Sequence, residues 1–205
     1  MESLNQHWLI FGFLASFIFA LFVASLKNKL LNVIEFIPIS AFVFIVRLTD
    51  ENGVNWKLSF ILGACLAVIG KAFLMAKKFP LDRIFLGGDI FLIVGGIGFL
   101  FDIPLILYIY GRLFQATLFA ALLAVGIFTT FLTERGFVGI KHHERSRVIH
   151  YSIYQLGAGV LAFLVSFVFR GNIFFGWILP FTGMVVINWI LAKRLRKTGV
   201  NNSNA

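Results

Sequence analysis

Long apolar runs constrain this chain more than any other feature of its sequence. Several runs approach or exceed the roughly 18–20 residues that a helix needs to cross the hydrocarbon core of a bilayer. Of the 205 residues, 60% are hydrophobic and 13% are charged, whereas soluble domains usually carry about 25% charged residues. The sequence therefore predicts an all-α fold, a polytopic bundle of transmembrane helices, and no segment of soluble-domain composition that could fold alone.

The apolar pattern divides into seven segments that we interpret as membrane spans. They are Trp8–Leu26, Leu30–Val46, Leu58–Ala76, Ile84–Phe101, Leu113–Leu132, Val148–Phe169 and Ile173–Leu191. The second segment is the shortest and contains Glu35 and Pro38, so an arrangement with six spans is the alternative. Residues 1–197 are predicted to form a single transmembrane domain, and residues 198–205 a polar, disordered tail.

The stretch that follows the fourth span has the features of a helix start. Asp102 is followed two residues later by Pro104, and proline is favoured at the first position of a helix. The sequence "IPLILYIYG" is therefore either an interfacial helix or an extension of the fifth span.

The distribution of lysine and arginine predicts the orientation of the chain. With seven spans, one side carries 4 basic residues and the other side 13, and Lys71 lies within a span. With six spans the split is 11 against 6. Basic residues collect in cytoplasmic loops, so the sharper asymmetry favours seven spans with the N-terminus outside and the C-terminus in the cytoplasm. The 4 are Arg47, Lys57, Arg112 and Arg170; the 13 are Lys27, Lys29, Lys77, Lys78, Arg83, Arg135, Lys141, Arg145, Arg147, Lys193, Arg194, Arg196 and Lys197.

Polar residues inside the predicted spans fall in the cytoplasmic third of the membrane. With a rise of 1.5 Å per residue, Asp89 lies about 7–8 Å from the cytoplasmic end of its span. Such residues usually face the interior of a bundle or a wet cavity, so we predict a polar cluster open to the cytoplasm. Its members are Glu35, Lys71, Asp89, His150, Tyr154 and Asn188.

Two structural alternatives to a functional cluster remain open. Lys71 could extend its ammonium group to the lipid headgroups. Alternatively, Glu35 and Asp89 could pair with Lys71 to cancel buried charge, as buried charges generally must be cancelled.

Residue spacing indicates which helix faces point inward. Residues three or four apart share one face of a helix, and small residues on such a face let another helix approach closely. One predicted inward face carries Ser59, Gly63, Ala67 and Lys71, and another carries His150, Tyr154 and Gly157.

No motif in the chain indicates a metal, a cofactor or catalytic residues. His142, His143 and Glu144 are adjacent, and neighbouring residues on a helix point about 100° apart, which is not a chelating spacing. A nucleophile elbow, a phosphate-binding loop and a dinucleotide-binding fingerprint are all absent from the sequence.

The net charge of +9 is explained by the cytoplasmic loops, so we predict no nucleic-acid partner. The basic loop "KHHERSR" and the C-terminal "KRLRK" are predicted to contact anionic lipid headgroups. The predicted headgroup contacts are Lys141, Arg145, Arg147, Lys193, Arg194, Arg196 and Lys197.

One stretch is similar to a known family. The sequence "FIPISAFVF", Phe36 to Phe44, resembles the opening of a span in the bacterial intracellular septation protein A family, and the order of spans and basic loops over about residues 33–197 is also similar. The resemblance implies a bacterial inner-membrane protein involved in envelope maintenance. It implies partners in the division and elongation machinery and no catalytic activity.

Three functions are therefore considered. The first is a non-enzymatic inner-membrane protein that supports the cell envelope or division through contacts with other envelope membrane proteins and lipids. The second is a small transporter or proton-coupled carrier that uses the cytoplasmic-side polar cluster. The third is a lipid-modifying enzyme at the cytoplasmic interface that uses His150, Asp89 and the basic loop. The absence of a recognisable nucleophile or metal set favours a protein that is not an enzyme.

Overall fold

All regular structure in the described part of the chain is helical. The computed structural model describes residues 29–49, 56–79, 81–172 and 174–201, and the all-α prediction is confirmed for them. The helices are α1 Lys29–Thr49, α2 Trp56–Ala76, α3 Arg83–Leu100, α4 Pro104–Leu113, α5 Ala116–Leu132 and α6 Arg145–Val168, followed by a π-helical segment Phe174–Ile178 that leads into α7 Leu179–Asn201. The predicted span Trp8–Leu26 lies outside the described residues.

Four of the described helices are long and apolar enough to cross a membrane. They are α2, α3, α6 and the continuous segment Phe174–Arg196, and a fifth candidate arises if the bent pair α4 and α5 is one span. Within α1, Ile34–Val46 is a shorter apolar helix. Helix α7 extends to Asn201, four residues into the stretch predicted to be a disordered tail.

The described residues divide into two compact units. The first unit contains residues 29–49, 56–79 and 92–107, and the second contains residues 81–91, 108–172 and 174–201. The division falls within α3, so the first half of this helix belongs to the second unit and its second half to the first unit.

The first unit is held together by the face of α2 that the four-residue spacing predicted. Ser59, Gly63 and Ala67 are buried on this face. A Cβ atom on Gly63 would lie 3.2 Å from Leu92 of α3, which shows how closely the two helices approach. The prediction that small residues mark a helix contact is therefore confirmed for α2.

Aromatic rings fill the remaining space in this unit. The Phe60 ring of α2 lies 4.6 Å from the Phe42 ring of α1 and 5.0 Å from the Phe99 ring of α3, measured between centroids. At the same end, the Lys57 ammonium group donates to Asp102 at 3.3 Å, and both side chains are exposed. An exposed pair of this kind typically contributes less than about 1 kcal/mol to stability.

Glycines in the second unit mark the contacts between its helices. A Cβ atom on Gly87 of α3 would lie 2.9 Å from the Leu122 backbone in α5. A Cβ atom on Gly159 of α6 would lie 2.9 Å from the Leu123 side chain of α5 and 3.5 Å from Met184 of α7. Leu122 and Leu123 lie near the middle of α5, so α3 and α6 both approach α5 closely at its middle.

The chain turns sharply between α4 and α5, which are bent by 108° at a short break. Phe114 adopts a left-handed backbone conformation there, with φ of 54°. The side-chain oxygen of Gln115, the next residue, accepts a hydrogen bond from the Gly171 amide at 3.2 Å. Helix α4 begins at Pro104 as the sequence predicted, and it is a helix of its own rather than a straight extension of the fifth span.

The loop between α5 and α6 folds onto α6. The Ser152 hydroxyl oxygen accepts a hydrogen bond from the Phe137 amide at 2.9 Å. Phe137 and Val138 are buried, with exposures of 0% and 4%. Gly136, with φ of +56°, allows the turn because it lies directly against Ser152, where a side chain would not fit. A loop that the sequence marks mainly by its charges therefore also contributes apolar side chains to the core.

Candidate functional site

An ion pair between α1 and α2 is the most distinctive polar feature of the first unit. The Lys71 ammonium group donates to Glu35 Oε1 at 3.2 Å. The Glu35 side chain is 3% exposed and the Lys71 side chain is 12% exposed. The contact between Lys71 and a buried carboxylate, which the structural alternative requires, is therefore present for Glu35. Whether this pair serves structure or function stays a prediction.

The local sequence explains why the two helices can place these charges together. Pro38 lacks an amide hydrogen, so it cannot donate to the Ile34 carbonyl one turn earlier in α1. Gly70 precedes Lys71, and a Cβ atom there would lie 3.8 Å from the Ile34 side chain and 3.9 Å from its carbonyl oxygen. The small residue lets α2 approach α1 immediately beside the pair.

Asp89 and Asn188 belong to the second unit. Asp89, on α3, is 1% exposed, so its side chain is buried, and its place in a polar cluster open to the cytoplasm stays a prediction. It lies two residues from Gly87, which contacts the middle of α5. Asn188, on α7, is half-buried, and its Oδ1 atom has no hydrogen-bond partner within the described residues.

The prediction of which face of α6 points inward is wrong. His150, Tyr154 and Gly157 are exposed, and a side chain on Gly157 would meet open space. The His150 and Tyr154 rings contact each other edge to face, with centroids 4.9 Å apart. The buried face of α6 is instead formed by residues spaced alternately four and three apart: Val148, Ser152, Gln155, Gly159, Ala162 and Ser166.

Gln155 is a buried polar residue that the predicted cluster left out. Its side-chain nitrogen donates to the Met184 carbonyl at 3.1 Å. Its side-chain oxygen is buried and has no hydrogen-bond partner among the described residues. The seven-residue repeat of small and polar residues along α6 is the signal that could have identified this face, because a helix seam repeats with that period.

The predicted headgroup contacts of the second unit lie at one end of it. Arg145, the first residue of α6, donates to the Phe131 carbonyl near the end of α5, so α6 begins where α5 ends. Met184, early in α7, lies beside Gly159 in the second half of α6, so α7 runs back along α6 towards the same end. Most of these side chains are exposed, and Arg147 is half-buried; the side chain of Lys197 lies outside the described residues. The contacts gathered at this end are Lys141, Arg145, Arg147, Lys193, Arg194 and Arg196.

Ion pairs organise the charges at this end. Lys141 contacts Glu134 at 2.6 Å, and Arg147 pairs with Glu144. The hydrogen bond from Lys141 lowers the pKa of Glu134, and the hydrogen bond from Arg147 lowers the pKa of Glu144. The Arg145 guanidinium donates to the Phe131 carbonyl at the end of α5, at 2.7 Å.

Within the described ranges, no group of three or more histidine, cysteine, aspartate or glutamate residues is arranged to hold a metal ion. His142 and His143 stack with ring centroids 4.3 Å apart. The His142 Nδ1 atom accepts a hydrogen bond from the Glu144 amide at 3.1 Å, so this nitrogen is occupied by the protein.

Four described helices, or five if the bent pair is one span, have the length and composition of membrane-spanning helices, which is typical of helical membrane proteins. Comparison with known proteins adds no narrower relationship, because no protein family, curated protein or solved structure matches this chain.

Proposed function

We propose that this chain is a multi-pass protein of the bacterial inner membrane that supports envelope maintenance or division without catalysing a reaction. It acts through contacts with lipids and with other envelope membrane proteins. The observation that carries the proposal is the Glu35–Lys71 ion pair, with a separation of 3.2 Å and side-chain exposures of 3% and 12%. These two charges satisfy each other within the helices, which favours a structural use over a substrate site.

The exposed surfaces of the long helices support a role in contacts. Large apolar side chains are exposed on α2 and α6, among them Ile69, Met75 and Leu161, each at 65%. In a membrane such faces meet lipid tails or the helices of a partner. The basic end of the second unit supplies the complementary attraction to anionic headgroups.

The proposal includes seven spans, with the N-terminus outside and the C-terminus in the cytoplasm. A chain in which Cys65 is replaced by serine allows a direct test, since Cys65 is the single cysteine. In this background, a membrane-impermeant thiol reagent applied to intact cells labels Asn52→Cys and not Lys141→Cys. Labelling of Lys141→Cys alone would show that the orientation is the reverse of the proposed one. Labelling of both or neither in intact cells contradicts the seven-span arrangement.

Variants of the ion pair test the function itself. In a strain that lacks the chain, we expect a defect in envelope integrity or septum placement that the wild-type gene restores. The double variant Glu35→Gln/Lys71→Met, in which both charges are removed, is expected to restore the phenotype at normal abundance. A double variant that is abundant but inactive would contradict a structural role of the pair and would favour a carrier.

A proton-coupled carrier is the second candidate, and two observations favour it. Carriers often contain interrupted helices at their binding sites, and α4 and α5 are joined by a bend of 108°. Asp89 is an ionisable residue with 1% exposure on a helix long enough to cross the membrane. Such residues often mark proton or ion pathways.

Replacement of Asp89 separates the two candidates. If the chain is a carrier, Asp89→Asn abolishes uptake or efflux while the protein remains abundant, and the exposed Asp102→Asn leaves transport intact. If it is not a carrier, Asp89→Asn changes abundance only. The lipid-modifying enzyme stays a prediction, and a changed lipid profile in the deletion strain would favour it.

A further inference from the structure

Arg83 and Arg135 are two of the second-unit arginines that make no ion pair with the described residues. Arg83 is the first residue of α3 and is half-buried, and Arg135 is an exposed residue of the α5–α6 loop. Neither guanidinium makes a hydrogen bond or an ion pair with any residue that the structure describes, and the Arg83 Nε atom is buried without a hydrogen-bond partner. A buried donor left unsatisfied is costly, and no described residue supplies an acceptor for this one.

The loop brings these two arginines together. Gly139, with φ of +78°, lies beside Arg83, and a Cβ atom there would lie 3.9 Å from Arg83 Cγ. Arg135 precedes Gly139 by one turn of this loop. The Gly139 amide donates a hydrogen bond to the Arg135 carbonyl at 3.0 Å. The positive charges of Arg135 and Arg83 repel each other. Two repelling cations are held close by a loop that is anchored in the core at Phe137.

The two carboxylates that act electrostatically on these arginines, Asp82 and Glu134, have other partners. Asp82 also acts on Arg83 electrostatically, but its Oδ1 atom accepts a hydrogen bond from the Ile84 amide at 2.9 Å and so caps the start of α3. Glu134 is paired with Lys141 at 2.6 Å. The protein therefore supplies two guanidinium groups at this place without a carboxylate dedicated to either of them.

We infer that Arg83 and Arg135 form a binding site for a phosphate group. A guanidinium group presents parallel N–H donors that match the oxygens of a phosphate, and arginine is favoured wherever such paired recognition occurs. Arg83 is the first residue of a helix that is long and apolar enough to span a membrane, and lipid phosphates lie at the ends of such helices. The phosphate belongs either to a lipid headgroup or to a soluble anion, and the test distinguishes these sources.

This inference is independent of the proposed function, because it does not involve Glu35 or Lys71. It also differs from the predicted headgroup contacts, which did not include Arg83 or Arg135. Those contacts are exposed lysines and arginines, several of them paired with glutamates, whereas Arg83 is half-buried and has no such pair.

The experiment uses the full-length protein, purified in detergent and stripped of lipid. Native mass spectrometry measures binding of phosphatidylglycerol, with diacylglycerol as the matched lipid that has no phosphate. A parallel thermal-unfolding series measures protection by inorganic phosphate against chloride at equal ionic strength. We expect binding of phosphatidylglycerol and not of diacylglycerol. Protection by inorganic phosphate in addition assigns the site to phosphate from either source, and protection by inorganic phosphate alone assigns it to a soluble anion.

Three variants locate the binding. Arg83→Gln and Arg135→Gln are each expected to weaken binding about tenfold, and Arg83→Lys is expected to weaken it as well, because a lysine keeps the charge but loses the paired donors. The control is Arg170→Gln, which removes an exposed arginine from the α6–α7 loop. The unliganded Arg83→Gln protein is expected to melt close to the wild type, since Arg83 makes no hydrogen bond or ion pair with the described residues.

Two results would overturn the inference. The first is binding of neither phosphatidylglycerol nor inorganic phosphate by the wild type. The second is equal binding by the Arg135→Gln and Arg170→Gln variants. Arg135 is exposed, so its replacement tests the site even if a variant at Arg83 fails to fold.

Discussion

The Ser152 hydroxyl accepts the Phe137 amide hydrogen at 2.9 Å, and this bond ties the α5–α6 loop to α6. The Val138 amide points to the same oxygen at 3.5 Å. Because Phe137 and Val138 are almost completely buried, water cannot replace the hydroxyl group as an acceptor. The Ser152 hydroxyl therefore helps to fix how the loop between these two helices folds, and with it the position of Arg135.

Replacement of Ser152 by alanine is expected to destabilise the protein by about 1–3 kcal/mol, because it leaves a buried backbone donor without an acceptor. Ser166→Ala is the matched control. Ser166 is also a serine of α6 with 0% exposure, but its hydroxyl has no hydrogen-bond partner within the described residues. Thermal unfolding of the two variants in detergent, monitored by fluorescence, would compare their losses of stability. Equal losses would show that the Ser152 hydrogen bond does not stabilise the loop.

Single and double replacements at the α1–α2 ion pair are expected to differ sharply. Glu35→Gln or Lys71→Met alone leaves a buried charge without its partner, and the expected loss is about 3–5 kcal/mol. Removal of both charges is expected to cost less than either single change. A double-mutant cycle on protein abundance and on the unfolding midpoint measures the coupling. Additive effects of the two single replacements would show that the 3.2 Å contact does not couple the residues.

Two glycines allow a direct test of helix contacts. A Cβ atom on Gly87 would lie 2.9 Å from the Leu122 backbone, which cannot move as a side chain can. Gly87→Ala is therefore expected to destabilise the protein by about 1–3 kcal/mol through overpacking. Gly157 has open space on its side of α6, so Gly157→Ala is expected to leave stability unchanged or to raise it by up to about 1 kcal/mol. The unfolding midpoint should fall for Gly87→Ala and should stay the same or rise for Gly157→Ala.

The sequence predicted some helix faces correctly and others wrongly for identifiable reasons. On α2 the residues that repeat every four positions are small, and their neighbours are large and apolar, so one face stands out. On α6 both Gly157 and Gly159 belong to plausible faces. The seven-residue repeat of Ser152, Gly159 and Ser166 favours the Gly159 face. The contact between Ser152 and the distant Phe137 packs this face against the α5–α6 loop, and that contact is not contained in a local pattern.

The bend between α4 and α5 has a similar origin. Pro104 and the helix start could be predicted from local preferences. The break itself falls at Phe114, a bulky residue in a left-handed conformation, which sequence rules assign to glycine or asparagine. The Gln115 contact with Gly171 helps to fix this turn, and it joins residues 56 positions apart. The partner of Lys71 was predictable only as a choice between two carboxylates, because depth alone does not separate Glu35 from Asp89.

Acid is expected to loosen the α5–α6 loop. The pKa of Glu134 is lowered by its hydrogen bond with Lys141, and that of Glu144 by its hydrogen bond with Arg147. A carboxyl group with a lowered folded-state pKa stabilises the fold fully above its unfolded pKa, about 4.3 for glutamate. This contribution is lost as the pH falls through the lower folded value.

Hydrogen exchange of the amides in residues 133–144, normalised for the intrinsic pH dependence, is the measurement. We expect protection to decrease between about pH 5 and about pH 3, where carboxyl groups of this kind titrate. The double variant Glu134→Gln/Glu144→Gln should lose most of this dependence and show reduced protection already at neutral pH. The effect is modest because both glutamates are exposed to solvent, where ion pairs are weak. A loop whose protection has the same pH dependence in the wild type and the double variant would show that these two ion pairs do not hold it.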